Sequence, residues 1–407
     1  MPLCAVLVAA ICGRGGSAQV AAADTPAPHF DARGHTPEYV GPNDQPAATG
    51  ALTEIRIGYF GPSDPQHPLY GNLWRAAQRA IDDANQRGGF VGKPYRLVPA
   101  WSDNPWGSGV KQVTQLVYAD RVWAIVGGVD GPTTHLAEQV VVKARLALVS
   151  PVSTDKTVNL TNVSWMFSLA PNDRLVADVL TEEIARGART RSFILITTND
   201  HDAFLLTREL RRAMTASRIA PSYQFEYQPQ SRAREALVHE CLAAKPDDVI
   251  VIANPLDSLD LVRALRQAGF AGCIFGGSAM GRAPFVRHVA DVAGELVFPQ
   301  LSGARPAAET SAAADHTPVN APAGMEADDD YAALQMYDAV QLVTSAIGKA
   351  GLNRVAIARA IRDLSPIAGV SGRIEWDAPG SNTRRPTLVT ITHGRVVPLR
   401  EMPASGQ

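Results

Sequence analysis

Cysteine is scarce in this sequence, four in 407 residues, and two of the four, Cys4 and Cys12, lie at its extreme N-terminal end. A disulfide-stapled scaffold is thereby excluded, because such scaffolds need dense cysteines. Cys241 and Cys273 fall on an expected helix and at an expected strand start, where they read as buried thiols or, in an oxidising compartment, as one bridge. An excess of either charge is also missing. Lys and Arg number 38 against 40 Asp and Glu, a formal net charge of −2, so no global basic field exists to hold nucleic acid or an anionic membrane. Long apolar runs are missing as well: the run from Leu3 to Cys12 is too short for a membrane helix, which needs ~18 residues. Its length suits the core of an export signal, and the small residues after it offer cleavage near Ala18 or Ala23, so residues 1–23 are expected to direct export, although no basic stretch precedes the core. A lipid-bearing Cys12 is the weaker alternative, since Ile11 stands where a small residue is normally found.

Motifs of covalent chemistry are absent too. After the first expected strand comes GPSDPQHPLYGN (61–72), with no G-x-G-x-x-G and no acidic residue in dinucleotide register, and no phosphate-cradling G-x-x-x-x-G-K-[ST] occurs. H-E-x-x-H, C-x-x-C and G-x-S-x-G are missing from the region expected to fold. The nine histidines are scattered, a pattern of solvent exposure. No cofactor and no metal site is expected, and enzymatic activity has little support.

What is present is apolar material: 46% hydrophobic and 19% charged residues in a chain of this length suit two sizeable cores. Residues 24–53, rich in Pro and Gly with no apolar period, read as an irregular linker. From Glu54 strand-like runs alternate with helical patterns: 54–60, a helix over 73–86, 95–100, a helix over 109–119, 122–126, a helix over 133–144, and 146–150. Leu73, Trp74, Ala77, Ala80, Ile81 and Ala84 form one stripe of helical period. The rhythm then repeats, with strands at 193–198, 223–227, 248–253, 273–277 and 295–299 and helices over 203–215, 232–244 and 256–268. A loop at 302–327, rich in Ala, Pro and Thr, precedes helices over 328–349 and 354–364 and strands at 373–376 and 387–393. Such alternation predicts an α/β fold of parallel sheets covered by helices on both faces, in duplicate.

Turns rich in Gly, Ser, Thr and Asp follow the expected parallel strands, where helix N-termini present free N–H groups. Two lead: GGVDGPTTH (127–135) and SPVSTDKT (150–157). Their N–H and hydroxyl groups suit a carboxylate ligand, or else Thr133, Ser153 and Thr154 simply cap helices and satisfy turns. Tyr70, Trp74, Trp101 and Trp106 cluster by sequence around the first two expected strand ends, where aromatic side chains suit a binding site. Trp101 and Trp106 flank SDNP in a loop and either line that site or pack between loops, whereas Trp74 belongs to the core stripe.

These residues carry a family resemblance. The run from Ile55 through Gly61 and Pro62, DDANQRGGFVGKPYRLV (82–98), IVGGVDGPTTHLAEQVVVKARLALVSPVST (125–154), RALRQAGF (263–270) and DDYAALQMYDAV (329–340) resemble the periplasmic binding proteins of branched-chain amino acid ABC transporters, the Leu/Ile/Val-binding type I class, over about 54–400. The resemblance implies two doubly wound parallel-sheet lobes joined by three hinge crossings near Ala170, Gln300 and Val370. One lobe would comprise 54–170 plus 301–370, the other 171–300 plus 371–402. It implies an exported, periplasmic monomer that captures an amino acid or related small carboxylate or amide in the inter-lobe cleft and presents it to an ABC transporter permease, with no nucleic acid partner.

By position, the family's carboxylate-binding turns correspond to Asp130, Gly131, Pro132 and Thr133 and to Val152, Ser153 and Thr154, with Gly131 standing where a hydroxyl residue is usual. A contact in the first turn of the second lobe falls at His201 or Asp202, another falls at Asn254, and the acid that usually holds the ligand ammonium corresponds to Ser278. With Ser278 there, an ammonium in a closed cleft requires another acceptor, Asp202 or Asp130, or the ligand has no amine. Either carboxylate alternatively serves as a solvated turn residue. Trp106 is the aromatic candidate for the cleft mouth. A ligand-sensing module of a signalling or redox system is the second function this fold implies, and an enzyme using Asp202 and His201 as an acid and base pair is the third.

Overall fold

The computed structural model describes residues 50–399 except 188–190, 231–233, 290–291, 293, 303–329 and 393–394. The expected export signal with Cys12, most of the expected linker and most of the expected loop at 302–327 lie outside the described residues.

A first unit contains β1 (Ile55–Phe60), α1 (Gly71–Gln86), β2 (Tyr95–Ala100), α2 (Val110–Thr114), β3 (Ile125–Gly127), α3 (Gly131–Ala144), β4 (Leu148–Ser150) and β5 (Met166–Pro171). A second contains α4 (Asp173–Gly187), β6 (Phe193–Thr198), α5 (His201–Ala216), β7 (Tyr223–Tyr227), α6 (Arg234–Ala243), β8 (Asp248–Ile252), α7 (Pro255–Gln267), β9 (Cys273–Gly276), α8 (Ala283–Val289) and β10 (Leu296–Gln300). The chain then runs through α9 (Tyr331–Ala350), α10 (Arg354–Asp363), the antiparallel pair β11 (Ile367–Gly369) and β12 (Gly372–Ile374), β13 (Ser381–Asn382), β14 (Thr387–Thr392) and β15 (Arg395–Pro398).

Two sheets result. The first has the order β13-β5-β4-β3-β1-β2 with all neighbours parallel. The second has the order β15-β14-β10-β9-β8-β6-β7, parallel from β7 to β10, with β14 and β15 antiparallel at one edge. The chain passes between the sheets after β5, after β10 and between β13 and β14, which is the doubly wound, two-lobed arrangement with three crossings. The last passage lies beyond Asn382, later than the sequence expectation near Val370, because Ser381 and Asn382 pair with Ser168 and Pro171 of the first sheet. A two-residue strand pairing with so distant a segment leaves no local period to read.

Burial follows the periods seen in the sequence. The α1 stripe buries Leu73, Ala76, Ala77, Ala80, Ile81 and Ala84 beneath α9, and Trp74 sets its ring edge-on to Tyr59, centroids 4.9 Å apart. In β6 and β8 alternate side chains enter different cores: Phe193, Leu195, Ile250 and Ile252 join one, Ile194, Ile196, Val249 and Val251 the other. That division requires helices on both faces of the sheet. Each such side chain contributes ~1.5–3 kcal/mol of burial, opposed by the entropy of ordering the chain. The first core continues from the first sheet onto the α4 and α5 face of the second. Cys241 and Cys273 are both buried free thiols, not a bridge.

No element is predicted from the sequence between 150 and 193, yet β5 and α4 lie there, α4 burying Val176, Leu180 and Ile184 at one-turn spacing. In each sheet the winding reverses at one strand, β1 between β2 and β3 and β6 between β7 and β8. A crevice opens at such points beyond the carboxyl ends of the strands.

Gly127 ends β3 at this crevice with φ +138°, and a Cβ there would stand 2.3 Å from the carbonyl oxygen of Phe60. Gly127→Ala is therefore expected to lower stability by at least about 1–3 kcal/mol, read as an earlier midpoint in denaturant unfolding.

Candidate functional site

A cavity of ≈ 260 Å³ lies where the strand ends of the two sheets face each other. Tyr70, Val129, Asp130, Val152 and Thr154 line it from the first unit, and Asp173, Asp200, Asp202, Asn254 and Ser278 from the second, with Arg282 and Tyr331 completing one side. Helix N-termini build it. Asp130 caps α3, its Oδ1 accepting the Thr133 N–H at 2.8 Å and the Thr133 hydroxyl at 2.5 Å. Asp200 caps α5 through the Ala203 N–H at 3.1 Å, and Asn254 caps α7 through the Leu256 and Asp257 N–H groups at 3.1 and 3.0 Å. Asp173 is the first residue of α4. Carboxylates gather at this crevice because each helix start locally favours an acid, by capping and by its dipole.

Asp202, in the first turn of α5, crosses to the other lobe. Its two oxygens accept the Gly131 N–H at 3.2 and 3.3 Å, so this carboxylate occupies the start of α3, where a solute carboxylate is expected from the sequence. Glycine at 131 makes the contact feasible: a Cβ there would stand 2.4 Å from Asp202 Oδ1.

The cavity is electrostatically one-sided. Burial, and then the nearby Asp130, push the Asp202 carboxyl up to about 8. Burial also raises Asp130, with the Thr133 hydrogen bonds opposing it. Asp173 is 1% exposed; burial carries its carboxyl well above the usual range, and the charges of Asp202 and Asp155 add to the shift. The Thr154 hydroxyl eases that shift, but neither Asp173 oxygen has a well-formed hydrogen bond. Arg282 is the one cation among the described residues lining the cavity. Its Nε donates to Asp330 Oδ1 at 2.8 Å and its Nη2 to the Leu69 carbonyl at 3.0 Å. Burial opposes its charge, and Asp330 and Tyr331 outweigh that penalty.

Beside the cavity the lobes meet through further polar contacts. Asp155 Oδ2 lies 2.8 Å from His135 Nε2 and 2.9 Å from Nε2 of His201, the latter in the other lobe. Burial works against the Asp155 charge, but hydrogen bonds from His135, Thr157 and His201 hold its carboxyl well below the usual range. Asp155 and Glu138 in turn raise His135 to about 9. Lys156 Nζ reaches Glu209 Oε1 across the same seam at 2.5 Å.

Of the residues singled out in the sequence, Asp130, Val152, Thr154, Asp202, Asn254 and Ser278 line the cavity and Gly131 touches it only through Asp202. Thr133 is buried with its N–H and hydroxyl committed to Asp130. Ser153 is also buried, its hydroxyl oxygen accepting the Asp155 N–H at 3.3 Å. His201 turns to Asp155 instead of the cavity. Trp106 is 68% exposed and apart from the lining, since its helical turn projects into solvent, while Trp101 packs on Phe60 with its Nε1–H on Asp103. Tyr70, one of the aromatics clustered in the sequence, lines the cavity, and Asp173, Asp200, Arg282 and Tyr331 are lining residues not singled out there. An acid directly before or at the start of an apolar-periodic run is a helix-start signal that marks Asp173 and Asp200. Among the described residues no helix is long and apolar enough to cross a membrane.

A family profile described as Periplasmic binding protein matches residues 54–392. A Leu/Ile/Val-binding protein of Rhizobium johnstonii is 23% identical over 338 residues, 82% of this chain and 90% of that protein. An amino acid binding protein of Pseudomonas aeruginosa is 25% identical over 341 residues, 82% of this chain and 88% of that protein. Among solved structures, the substrate binding protein of a branched-chain amino acid transporter from Streptococcus pneumoniae, in complex with isoleucine, has a TM-score of 0.70 at 20% identity and covers 84% of this chain and 97% of its own.

The Arg282 and Asp330 side chains are 6% and 0% exposed, so removing one leaves the other charged and buried. Arg282→Met is expected to lower stability by about 3–5 kcal/mol, measured by chemical unfolding.

Proposed function

Because the chain belongs to the periplasmic binding protein family, we propose that it captures a small amine-bearing solute, an amino acid or close relative, between its lobes and delivers it to the permease of an ABC transporter. The observation that carries the ligand class is the Asp173 carboxylate, 1% exposed, lining the cavity, with no well-formed hydrogen bond on either oxygen. A desolvated carboxylate needs a cation or hydrogen-bond donors. A solute ammonium supplies both, and Asp130 and Asp202 line the same cavity to share it. The carboxylate end of the solute faces Arg282 and the Ser278 hydroxyl. This reverses the placement that the resemblance implies, because the N–H at the start of α3 is held by Asp202. The names of the Rhizobium and Pseudomonas relatives support an amino acid as the solute class.

The lobes of this mechanism comprise 54–170 with the returning chain up to β13, and 171–300 with β14 and β15. Rotation about the three crossings opens and closes the cleft, and a solute that prefers the closed form shifts the population toward it, which the permease reads. No covalent step is involved. The protein acts outside the cytoplasm, as a monomer.

Titration calorimetry with amino acids, simple amines and amine-free organic acids tests the proposal. Amine-bearing solutes are expected to bind, and Asp173→Asn is expected to weaken them about 30-fold or more, equivalent to ~2 kcal/mol, while raising the unfolding midpoint because an unpaired buried carboxylate is gone. Binding confined to amine-free acids, or unchanged affinity in Asp173→Asn, contradicts the assignment.

A further inference from the structure

The histidines scattered in the sequence include two that the fold brings together. The Nε2 atoms of His135 and His201 both approach Asp155 Oδ2, at 2.8 and 2.9 Å, and the candidate donor atoms of the three residues lie within 4.8 Å of one another. Two imidazole nitrogens and one carboxylate oxygen form a donor set for a divalent transition metal, with Zn²⁺ well suited. Two of the donors are held from behind. His135 Nδ1 lies 3.0 Å from Glu138 Oε2, a carboxylate that fixes the ring and leaves Nε2 for an ion. Asp155 Oδ1 accepts the Thr157 N–H at 2.7 Å and the Thr157 hydroxyl at 2.6 Å, leaving Oδ2. The Thr157 hydroxyl also stands 3.0 Å from His135 Nε2, beside the position of a fourth ligand.

Bond lengths of ~2.0–2.1 Å in a tetrahedral site set donors ~3.3 Å apart, so each histidine nitrogen must draw back from Asp155 Oδ2 by about half an ångström from its 2.8 or 2.9 Å. His201, 40% exposed at the first residue of α5, has room to move and opens the site to solvent. His135 and Asp155 belong to the first lobe and His201 to the second. We propose that His135, Asp155 and His201 form a divalent transition-metal site that spans the lobes, so that a bound ion staples them together outside the solute cavity. Holding the lobes in this arrangement couples the ion to solute affinity, but the metal site stands on its own donor set, whatever the solute.

Co²⁺ and Zn²⁺ titrations of the chelator-stripped full chain, with no solute added, test it. One equivalent of Co²⁺ is expected to give a saturable visible band that Zn²⁺ abolishes, and Zn²⁺ is expected to raise the melting temperature. The band and the shift should vanish in His201→Ala and in His135→Ala, and Glu138→Gln should weaken Co²⁺ about 10-fold or more, with circular dichroism confirming that each variant folds. Absence of a saturable Co²⁺ band in the unaltered chain, or full retention of Co²⁺ affinity and the Zn²⁺ shift in the folded His135→Ala and His201→Ala double variant, overturns the site. Solute calorimetry reports separately on the cavity, so failure of either proposal leaves the other measurable.

Discussion

Carboxylates held out of water between two lobes impose the constraint around which this site is organised. Asp130, Asp173 and Asp202 all line one cavity, and burial drives each carboxyl upward. Desolvation penalises the ionised form unless a donor or a cation compensates. Asp130 finds Thr133 and the start of α3, and Asp202 finds the Gly131 N–H of the opposite lobe. Asp173 has the Thr154 hydroxyl beside it but no well-formed hydrogen bond and no cation, and the charge balance of the cavity remains acidic because Arg282, its one lining cation among the described residues, is already bound to Asp330. The same limitation explains the seam: Asp155 with His135 and His201, and Lys156 with Glu209, bring buried acids against basic groups where the lobes meet.

Much of the fold was legible because its elements carry local periods. The α1 stripe and the apolar runs of β1, β6 and β8 recur in the structure close to their expected limits, and alternation of strand and helix leaves parallel sheets as the economical solution. The missing pieces have different physical origins. β5 is a short buried run interrupted by Ser168 and shows no alternation of apolar and polar residues. α4 carries a regular stripe and was readable. β13 exists only through pairing across the sheet, which local sequence does not encode.

In the site, strand ends were readable and side-chain commitments were not. Asp130, Thr154, Asp202, Asn254 and Ser278 sit at the cavity because strand order puts the turns after β3, β4, β6, β8 and β9 together. Whether a helix start is free for a solute depends on what the opposite lobe places there, and Asp202 on Gly131 is such a contact across lobes. Gly131, where the family resemblance implies a hydroxyl residue, was the sequence trace of that contact. Arg282 and Asp330 came from separate segments and meet only in the folded chain. The two lobes meet at two polar stations, the acid-lined cavity and the histidine cluster beside it.

A crystal structure with a bound amino acid tests the central claim most directly. The account predicts the solute nitrogen within ~3.2 Å of carboxylate oxygens of Asp173 and of Asp130 or Asp202, with Asp202 still on the Gly131 N–H. A solute carboxylate seated on that N–H, with Asp202 displaced and the solute nitrogen remote from Asp173, would contradict it.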